Sequence, residues 1–246
     1  MKSSISSDGR LAQMPNTTRW IGIGLLGLPL YGALTFLTSL NPQPDPSTEY
    51  EAWSRFVTTN DYVIGHVLGS GLGLIALIFG SFALGAYLAK SRAATLGLVA
   101  MVLTVLGSCL FMMLMGVSAF AAPEEGQAYL AGIEDYAKLP DSFADMVFMV
   151  TFIVVLLLSF VGNVLLGIAV WRSAVLPKWA GALWAAAPIL MYILGMVYAM
   201  AIGARSTPPT VLLGSLLVVV SGAWIAWSVL RKPASAPEPS GHARLV

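Results

Sequence analysis

His66 has the widest chemical scope of any residue in this sequence. An imidazole inside an apolar segment can titrate near neutral pH, ligate a metal or haem iron, or join two helices through a hydrogen bond. His66 lies near the start of an apolar run, and Asp145 begins another such run at a similar depth. A carboxylate at that depth could hydrogen-bond the imidazole. The sequence therefore predicts a small polar site at one end of a helix bundle.

Three further side chains complete the predicted ligand-binding site: Tyr62, Tyr198 and Arg205. In an alternative interpretation, Asp145 lies among lipid headgroups, stabilised by the positive end of its helix dipole, and never approaches His66. If the two side chains do meet, they could serve as the acid and base of a membrane enzyme. We keep that as a third functional hypothesis.

Metal chemistry is restricted because the chain has two histidines. They are too few for the histidine-rich di-iron sites of membrane desaturases, and we predict no metal site. Haem bound by His66 and a methionine stays an open alternative. The candidate methionines lie near the same end of three apolar runs: Met112, Met113, Met115, Met146, Met149, Met196 and Met200. Methionine also fills irregular apolar gaps, so we expect no cofactor.

Six apolar runs must position these residues, at 20–40, 62–89, 95–121, 143–171, 179–203 and 209–230. Each has the length of about 20 helical residues that a hydrocarbon layer requires. The chain is 57% hydrophobic and 10% charged, far from soluble usage. We predict an all-α, polytopic membrane bundle of six transmembrane helices over 20–230, after a leader at 1–19 and before a disordered tail at 231–246.

The charges predict the orientation of this bundle. Ten of the thirteen Lys and Arg residues fall in the two termini and in alternate inter-helix segments, whereas ten of the twelve acids fall in the other segments. This positive-inside pattern places both termini in the cytoplasm and indicates a bacterial-type cytoplasmic membrane. The lipid bilayer is thus the first predicted partner. The basic residues form no clustered face, which argues against a nucleic-acid partner.

Small residues at four-residue spacing predict where helices pack closely. The candidate positions lie in the second, fourth and fifth runs: Gly65, Gly69, Gly73, Ser81, Asn163, Gly167 and Gly195. We therefore predict that these three helices form the tight core, and that the buried amide of Asn163 makes an interhelical hydrogen bond. Residues 80–91 also share a pattern with residues 162–173, which is consistent with a parallel duplication.

Two inter-helix segments, 47–60 and 127–138, contain apolar residues at helical spacing. Each predicted short helix could lie flat at the headgroup boundary or fold over the mouth of the bundle as a lid. Pro29 and Pro188 lie inside apolar runs and are expected to kink the first and fifth helices.

The absence of charge from the middle of every apolar run disfavours proton-coupled transport, voltage sensing and most ion pathways. The chain also lacks the common hydrolase and nucleotide-binding motifs. We hypothesise first a non-enzymatic integral membrane protein, a regulator, sensor or accessory subunit that acts through a membrane-protein partner or a lipophilic ligand. The alternative is a carrier or permease for a neutral or lipophilic small molecule, with an outer-facing vestibule.

Overall fold

The structure is a computed structural model that describes residues 14–41, 43–133, 143–202 and 207–231. All regular elements in these ranges are helices. Six of the helices are long and apolar enough to cross a membrane, so the predicted all-helical architecture is confirmed. The predicted tail lies outside the described residues from position 232 onward.

The six long helices follow the order of the predicted runs. The first comprises Met14–Leu25 and Gly27–Thr38; the third is Ala94–Leu130, the fourth Phe143–Arg172 and the sixth Pro209–Leu230. The second comprises Asn60–Ile64, a π-helical segment Gly65–Gly71, and Leu72–Leu88. The fifth comprises Lys178–Pro188, a π-helical segment Ile189–Leu194, and Gly195–Ile202. A short helix, Tyr50–Val57, precedes the second.

Both prolines that were predicted to kink a helix lie beside an interruption of the regular hydrogen-bond pattern. The first helix is interrupted at Leu26, three residues before Pro29. The π-helical segment of the fifth helix begins directly after Pro188. Proline has no N–H to donate and its ring clashes with the preceding turn, so the helix must change its pattern nearby.

The six long helices form a closed ring in chain order. Each packs against its neighbours in sequence, and the sixth returns to pack against the first. The prediction that the second, fourth and fifth helices form the tight core is wrong, because the second helix packs between the first and the third. Short connections favour contact between consecutive helices, whereas a small-residue stripe indicates close approach without naming the partner.

Two of the predicted packing glycines do allow close approach. A Cβ atom at Gly69 would overlap Cγ2 of Thr38 in the first helix. At Gly167 it would lie 2.6 Å from the backbone of Gly181 and of Ala185 in the fifth helix. At Gly167 the two helix backbones therefore approach each other too closely for a larger side chain, whereas at Gly69 the atoms in the way belong to the Thr38 side chain.

The other three predicted packing glycines do not mark close approach. Gly73 and Gly195 have their nearest neighbours at 3.6 and 3.5 Å, which is ordinary van der Waals contact. A Cβ atom at Gly65 would meet no heavy atom of the described residues within 4 Å. The packing prediction is wrong at Gly65, because this part of the stripe faces open space rather than a neighbouring helix.

The polar packing residues are buried, but their bonding differs from the prediction. Nδ2 of Asn163 donates to the carbonyl oxygen of Ser159 at 2.9 Å, within its own helix, instead of making the expected interhelical bond. A carbonyl one turn earlier is always within reach of such a side chain, whereas an acceptor on another helix is not. The hydroxyl of Ser81 is buried and has no partner within the described part of the chain.

The glycines of the suggested repeat make equivalent contacts. Gly80 in the second helix faces Leu28 of the preceding long helix, and Gly162 in the fourth faces Thr104 of the preceding one. Gly85 and Gly167 each face the helix that follows. The similarity therefore extends from sequence pattern to the direction of packing.

The two ends of the ring differ in charge. One end, which we call the basic end, carries Lys90, Arg92, Arg172, Lys178 and Arg231 on exposed positions. The opposite end, the acidic end, carries Glu49, Glu51, Asp61, Glu124 and Glu125. Arg92 donates from Nε to the carbonyl oxygen of Arg172, the last residue of the fourth helix, and so closes part of the basic end.

At the acidic end the third helix extends beyond its predicted limit. It has 37 residues and ends at Leu130, so residues 127–130 continue this helix rather than begin a separate one. Positions 134–138 of the other predicted short helix lie outside the described residues. At about 1.5 Å per residue the third helix is roughly 55 Å long, far more than the roughly 30 Å of a hydrocarbon layer.

The short helix Tyr50–Val57 confirms the helix predicted within 47–60, and it packs mainly against the third helix. Trp53 and Val57 on its apolar face are buried. Val57 packs on Gly126, in the extension of the third helix. The Tyr50 hydroxyl also donates to Glu125 at 2.7 Å. Its apolar face packs against the third helix and the start of the second, so this helix is held by protein rather than lying flat as a lipid anchor.

Candidate functional site

A cavity of about 520 Å³ lies inside the ring near the acidic end. Residues of the first, second, third, fifth and sixth helices line it, and Phe56 of the short helix lies at its rim. Gly65 also lines this cavity, which accounts for the open space around it. Both π-helical segments of the described chain contribute lining residues.

His66 is held in a defined orientation at this cavity. Its Nδ1 lies 2.9 Å from the carbonyl oxygen of Tyr62, one turn earlier in the second helix. A carbonyl oxygen only accepts, so Nδ1 must carry the hydrogen; in the neutral imidazole Nε2 is then the acceptor. The ring also packs on that of Tyr62, with centroids 4.1 Å apart.

Tyr62 links this part of the second helix to the third. Its side chain is buried, and its hydroxyl donates to the carbonyl oxygen of Ser118 at 3.1 Å. Thr59, at the start of the second helix, accepts a hydrogen bond from the backbone N–H of Tyr62. The residue that positions His66 is therefore fixed at both its backbone and its side chain.

A second polar group in the cavity is a pair of tyrosines that the sequence analysis missed. The side chain of Tyr31 in the first helix lies beside those of Thr35 and of Tyr192 in the fifth. Tyr192 also lies beside Ser159 of the fourth helix. A tyrosine well inside an apolar run is itself a signal, because its buried hydroxyl requires a partner. The pairing depends on how the first and fifth helices face each other across the ring.

The structure brings together two of the five predicted site residues, Tyr62 and His66, and both line the cavity. Tyr198 is 38% exposed on the fifth helix and lies outside the lining. Asp145 belongs to the fourth helix, but its side chain is outside the described residues, and so is the whole of Arg205. His66 already bonds Tyr62 through Nδ1, which leaves only Nε2 for any other partner.

The composition of the cavity bears on the haem hypothesis. Met115 lines the same cavity as His66, as does Met191, which was not among the candidates. Five candidate methionines are instead exposed on the outside of the ring: Met113, Met146, Met149, Met196 and Met200. Haem carries two carboxylates, yet the lining residues that the structure describes include Asp61 and neither Lys nor Arg. The lining therefore fits an uncharged molecule better than haem.

The ligand types of a metal centre are not clustered in the described ranges either, which hold no group of three or more His, Cys, Asp or Glu side chains. Apolar walls from Leu74, Phe111, Met115 and Met191 alternate with the imidazole and hydroxyl groups. Such a mixture is typical of small-molecule binding sites, in which a few polar groups orient a mainly apolar ligand.

The function of this chain has to be inferred from its own geometry. Comparison of the chain with protein families, with curated proteins and with solved structures finds no match.

Proposed function

We propose that this chain is an integral protein of a bacterial-type cytoplasmic membrane that binds a small, uncharged, largely apolar molecule and acts as a regulator, sensor or accessory subunit. The observation that carries the proposal is the position of the two π-helical segments in the described chain. Segment Gly65–Gly71 supplies His66 and Ser70 to the cavity, and segment Ile189–Leu194 supplies Met191 and Tyr192. Single π-helical turns are rare in helices and occur frequently at functional sites.

The surface of the basic end supports insertion in a membrane with that end in the cytoplasm. Trp171, Trp179 and Trp227 are exposed there. The Lys178 ammonium lies 5.9 and 5.7 Å from the ring centroids of Trp171 and Trp179, and the Arg231 guanidinium lies 3.9 Å from that of Trp227. Exposed tryptophans and cations together are typical of the boundary between lipid and cytoplasm.

Cysteine accessibility tests this orientation in a Cys109→Ser background, which removes the single native thiol. We expect Ser47→Cys at the acidic end to react with a membrane-impermeant maleimide in whole cells. Lys90→Cys at the basic end should react only after lysis. The reverse pattern would overturn the orientation, and equal reaction of both in whole cells would contradict insertion as proposed.

The half of the ring nearest the basic end, which we call the basic half, is densely packed. This packing supports binding of a molecule in the cavity over its passage through the ring. The side chains that fill this half are almost fully buried: Leu25, Leu84, Leu88, Leu166, Val170, Trp184, Ile225 and Val229. A cavity that opens at one end and is closed by such a core can hold a molecule. Transfer across the membrane would require the core to open.

Photolabelling tests whether the cavity binds a molecule of this class. The probe is an uncharged eight-carbon alcohol that carries a diazirine, applied to the purified full chain in lipid nanodiscs, with adducts located by mass spectrometry. We expect saturable adducts on cavity residues such as Phe111, Met115 and Met191. In Gly65→Phe, where the added ring enters the cavity, these adducts should decrease at least several-fold.

Gly116→Phe is the matched control, because a Cβ at Gly116 also meets no heavy atom within 4 Å but the residue is not part of the cavity lining. It should label like the wild type. Adducts confined to lipid-facing residues, or cavity adducts that Gly65→Phe leaves unchanged, would refute the proposed binding function.

A carrier is the second candidate, and the π-helical segments on two sides of the cavity are the observation that favours it. A change from π to α pattern would shift the adjoining helix and could open the ring toward the basic end. Ser81, which is fully buried below the cavity, reports such opening. In the same accessibility assay, protection of Ser81→Cys supports binding alone, whereas its reaction from the aqueous phase supports the carrier.

A further inference from the structure

We infer that the cavity selects ligands that donate a hydrogen bond, namely uncharged amphipathic alcohols or phenols, and that Nε2 of His66 accepts this bond. The inference rests on the proposed binding function and specifies its ligand class. It follows from the contacts of His66, from the neighbours of the two cavity tyrosines, and from the order of polar and apolar residues along the cavity.

The imidazole of His66 presents an acceptor to the cavity. Because Nδ1 of His66 donates to the Tyr62 carbonyl oxygen, the neutral ring offers only a lone pair at Nε2. Nε2 has no hydrogen-bond partner within the described part of the chain. Tyr62 fixes the ring by both the hydrogen bond and the ring contact, so the acceptor is held in place before a ligand arrives.

The two tyrosines of the cavity have protein hydroxyls as their nearest polar neighbours. Tyr31 and Tyr192 lie beside each other, beside Thr35 and beside Ser159, so each hydroxyl has a protein group within reach. A ligand hydroxyl that bonded there would have to replace one of these contacts. At Nε2 of His66 a ligand donor gains a bond without breaking a protein one.

The lining of the cavity sets the direction in which such a ligand lies. His66 lies at the end of the cavity next to Tyr62 and the short helix, whereas Leu74 lies eight residues deeper in the second helix, about 12 Å along its axis. Phe111, Met115 and Met191 supply further apolar wall. The hydroxyl therefore points toward the mouth and the apolar body toward the interior of the ring.

Two photoprobes test the inference: the diazirine alcohol described above and its methyl ether, which keeps the oxygen acceptor but has no donor. We expect half-maximal cavity labelling of the wild type at an alcohol concentration about tenfold lower than for the ether, as loss of one hydrogen bond implies. The ratio of the two half-maximal concentrations, ether to alcohol, is measured for the wild type and for each variant. Comparison of these ratios cancels any unequal partitioning of the probes into lipid.

His66→Phe should abolish the preference for the alcohol while the ether still labels the cavity. His66→Gln can place its amide oxygen near the position of Nε2 and should retain part of the preference, whereas His66→Asn, which reaches only to the position of Nδ1, should not. The two amide variants therefore distinguish an acceptor at the position of Nε2 from a polar side chain placed anywhere near it.

The outcomes of the probe experiment separate the two proposals. If neither probe labels the cavity of the wild type, the proposed binding function fails. If both label it with the ratio seen in His66→Phe, binding stands and donor selection is overturned. A preference that survives unchanged in His66→Phe would also overturn the inference, because another group would then be the acceptor.

Discussion

The basic half of the ring and the acidic half, which is the half nearest the acidic end, use the same kinds of residue for opposite purposes. In the basic half, small residues let backbones touch, as at Gly167 against Gly181 and Ala185. In the acidic half, a Cβ at Gly65 would meet no atom of the described residues within 4 Å, and the glycine leaves room in the cavity. Aromatic residues differ in the same way, because Trp184 fills the basic half whereas Tyr31 and Tyr192 line the cavity. The structural role of a glycine or an aromatic residue therefore depends on its neighbours and not on its type alone.

The comparison also separates stability from function. The basic half has the dense packing that stabilises helices in lipid, where association depends on van der Waals contact rather than on hydrophobic transfer. The acidic half has interrupted helices and a cavity, both of which forfeit packing energy. Substitutions in the basic half should thus change stability, and those in the acidic half should change binding.

Trp184→Ala should have the largest effect on stability. Trp184 is among the largest fully buried side chains, and its removal leaves a void among closely packed helices. We expect a loss of about 3 kcal/mol in the free energy of unfolding, near the lower limit for truncation of a large aromatic residue, because lipid reduces the transfer contribution. Denaturation of the purified protein in detergent micelles measures it.

Trp184→Phe is the control for the indole N–H. Nε1 of Trp184 is buried without a hydrogen-bond partner in the described part of the chain. Replacing it by a ring without that group should therefore cost much less than the alanine variant. If both variants lost equal stability, the indole N–H would have an unobserved partner and packing alone would not explain this half.

Features that depend on residues close together in the sequence could be predicted before the structure. Length and hydropathy are properties of consecutive residues, so the six helices and the short helix at 47–60 could be predicted. His66 and Tyr62 could be placed in one site because they are four residues apart on one helix face. Close packing at Gly69 and Gly167 was also accessible, since small residues at regular spacing permit it.

Contacts across the ring could not be predicted in this way. Tyr31 and Tyr192 meet because of the rotation of two helices that are not neighbours in sequence. Tyr198 was placed in the site by depth alone, but it follows Tyr192 by six residues, about 240° farther around a regular helix. Spacing along the chain gives the depth of a residue in the bundle, whereas the helix face on which it lies determines whether it lines the cavity.

Gly167→Ala and Gly65→Ala give the most direct comparison of the two halves, since the same methyl group is added to each. At Gly167 the new Cβ would lie 2.6 Å from backbone atoms of the fifth helix, which cannot move aside as a side chain could. We expect Gly167→Ala to lose about 1–3 kcal/mol of unfolding free energy through overpacking. Thermal unfolding in nanodiscs would measure the difference from the wild type.

Gly65→Ala should have the smallest effect, and one of opposite sign. The added Cβ meets no heavy atom of the described chain within 4 Å, and alanine favours a helical backbone over glycine by about 0.5–1 kcal/mol. The π-helical pattern at this position reduces that gain, so we expect a change between zero and about 0.5 kcal/mol of added stability. A destabilisation comparable to that of Gly167→Ala would mean that Gly65 packs against something, and the open acidic half would no longer be distinct from the packed basic half.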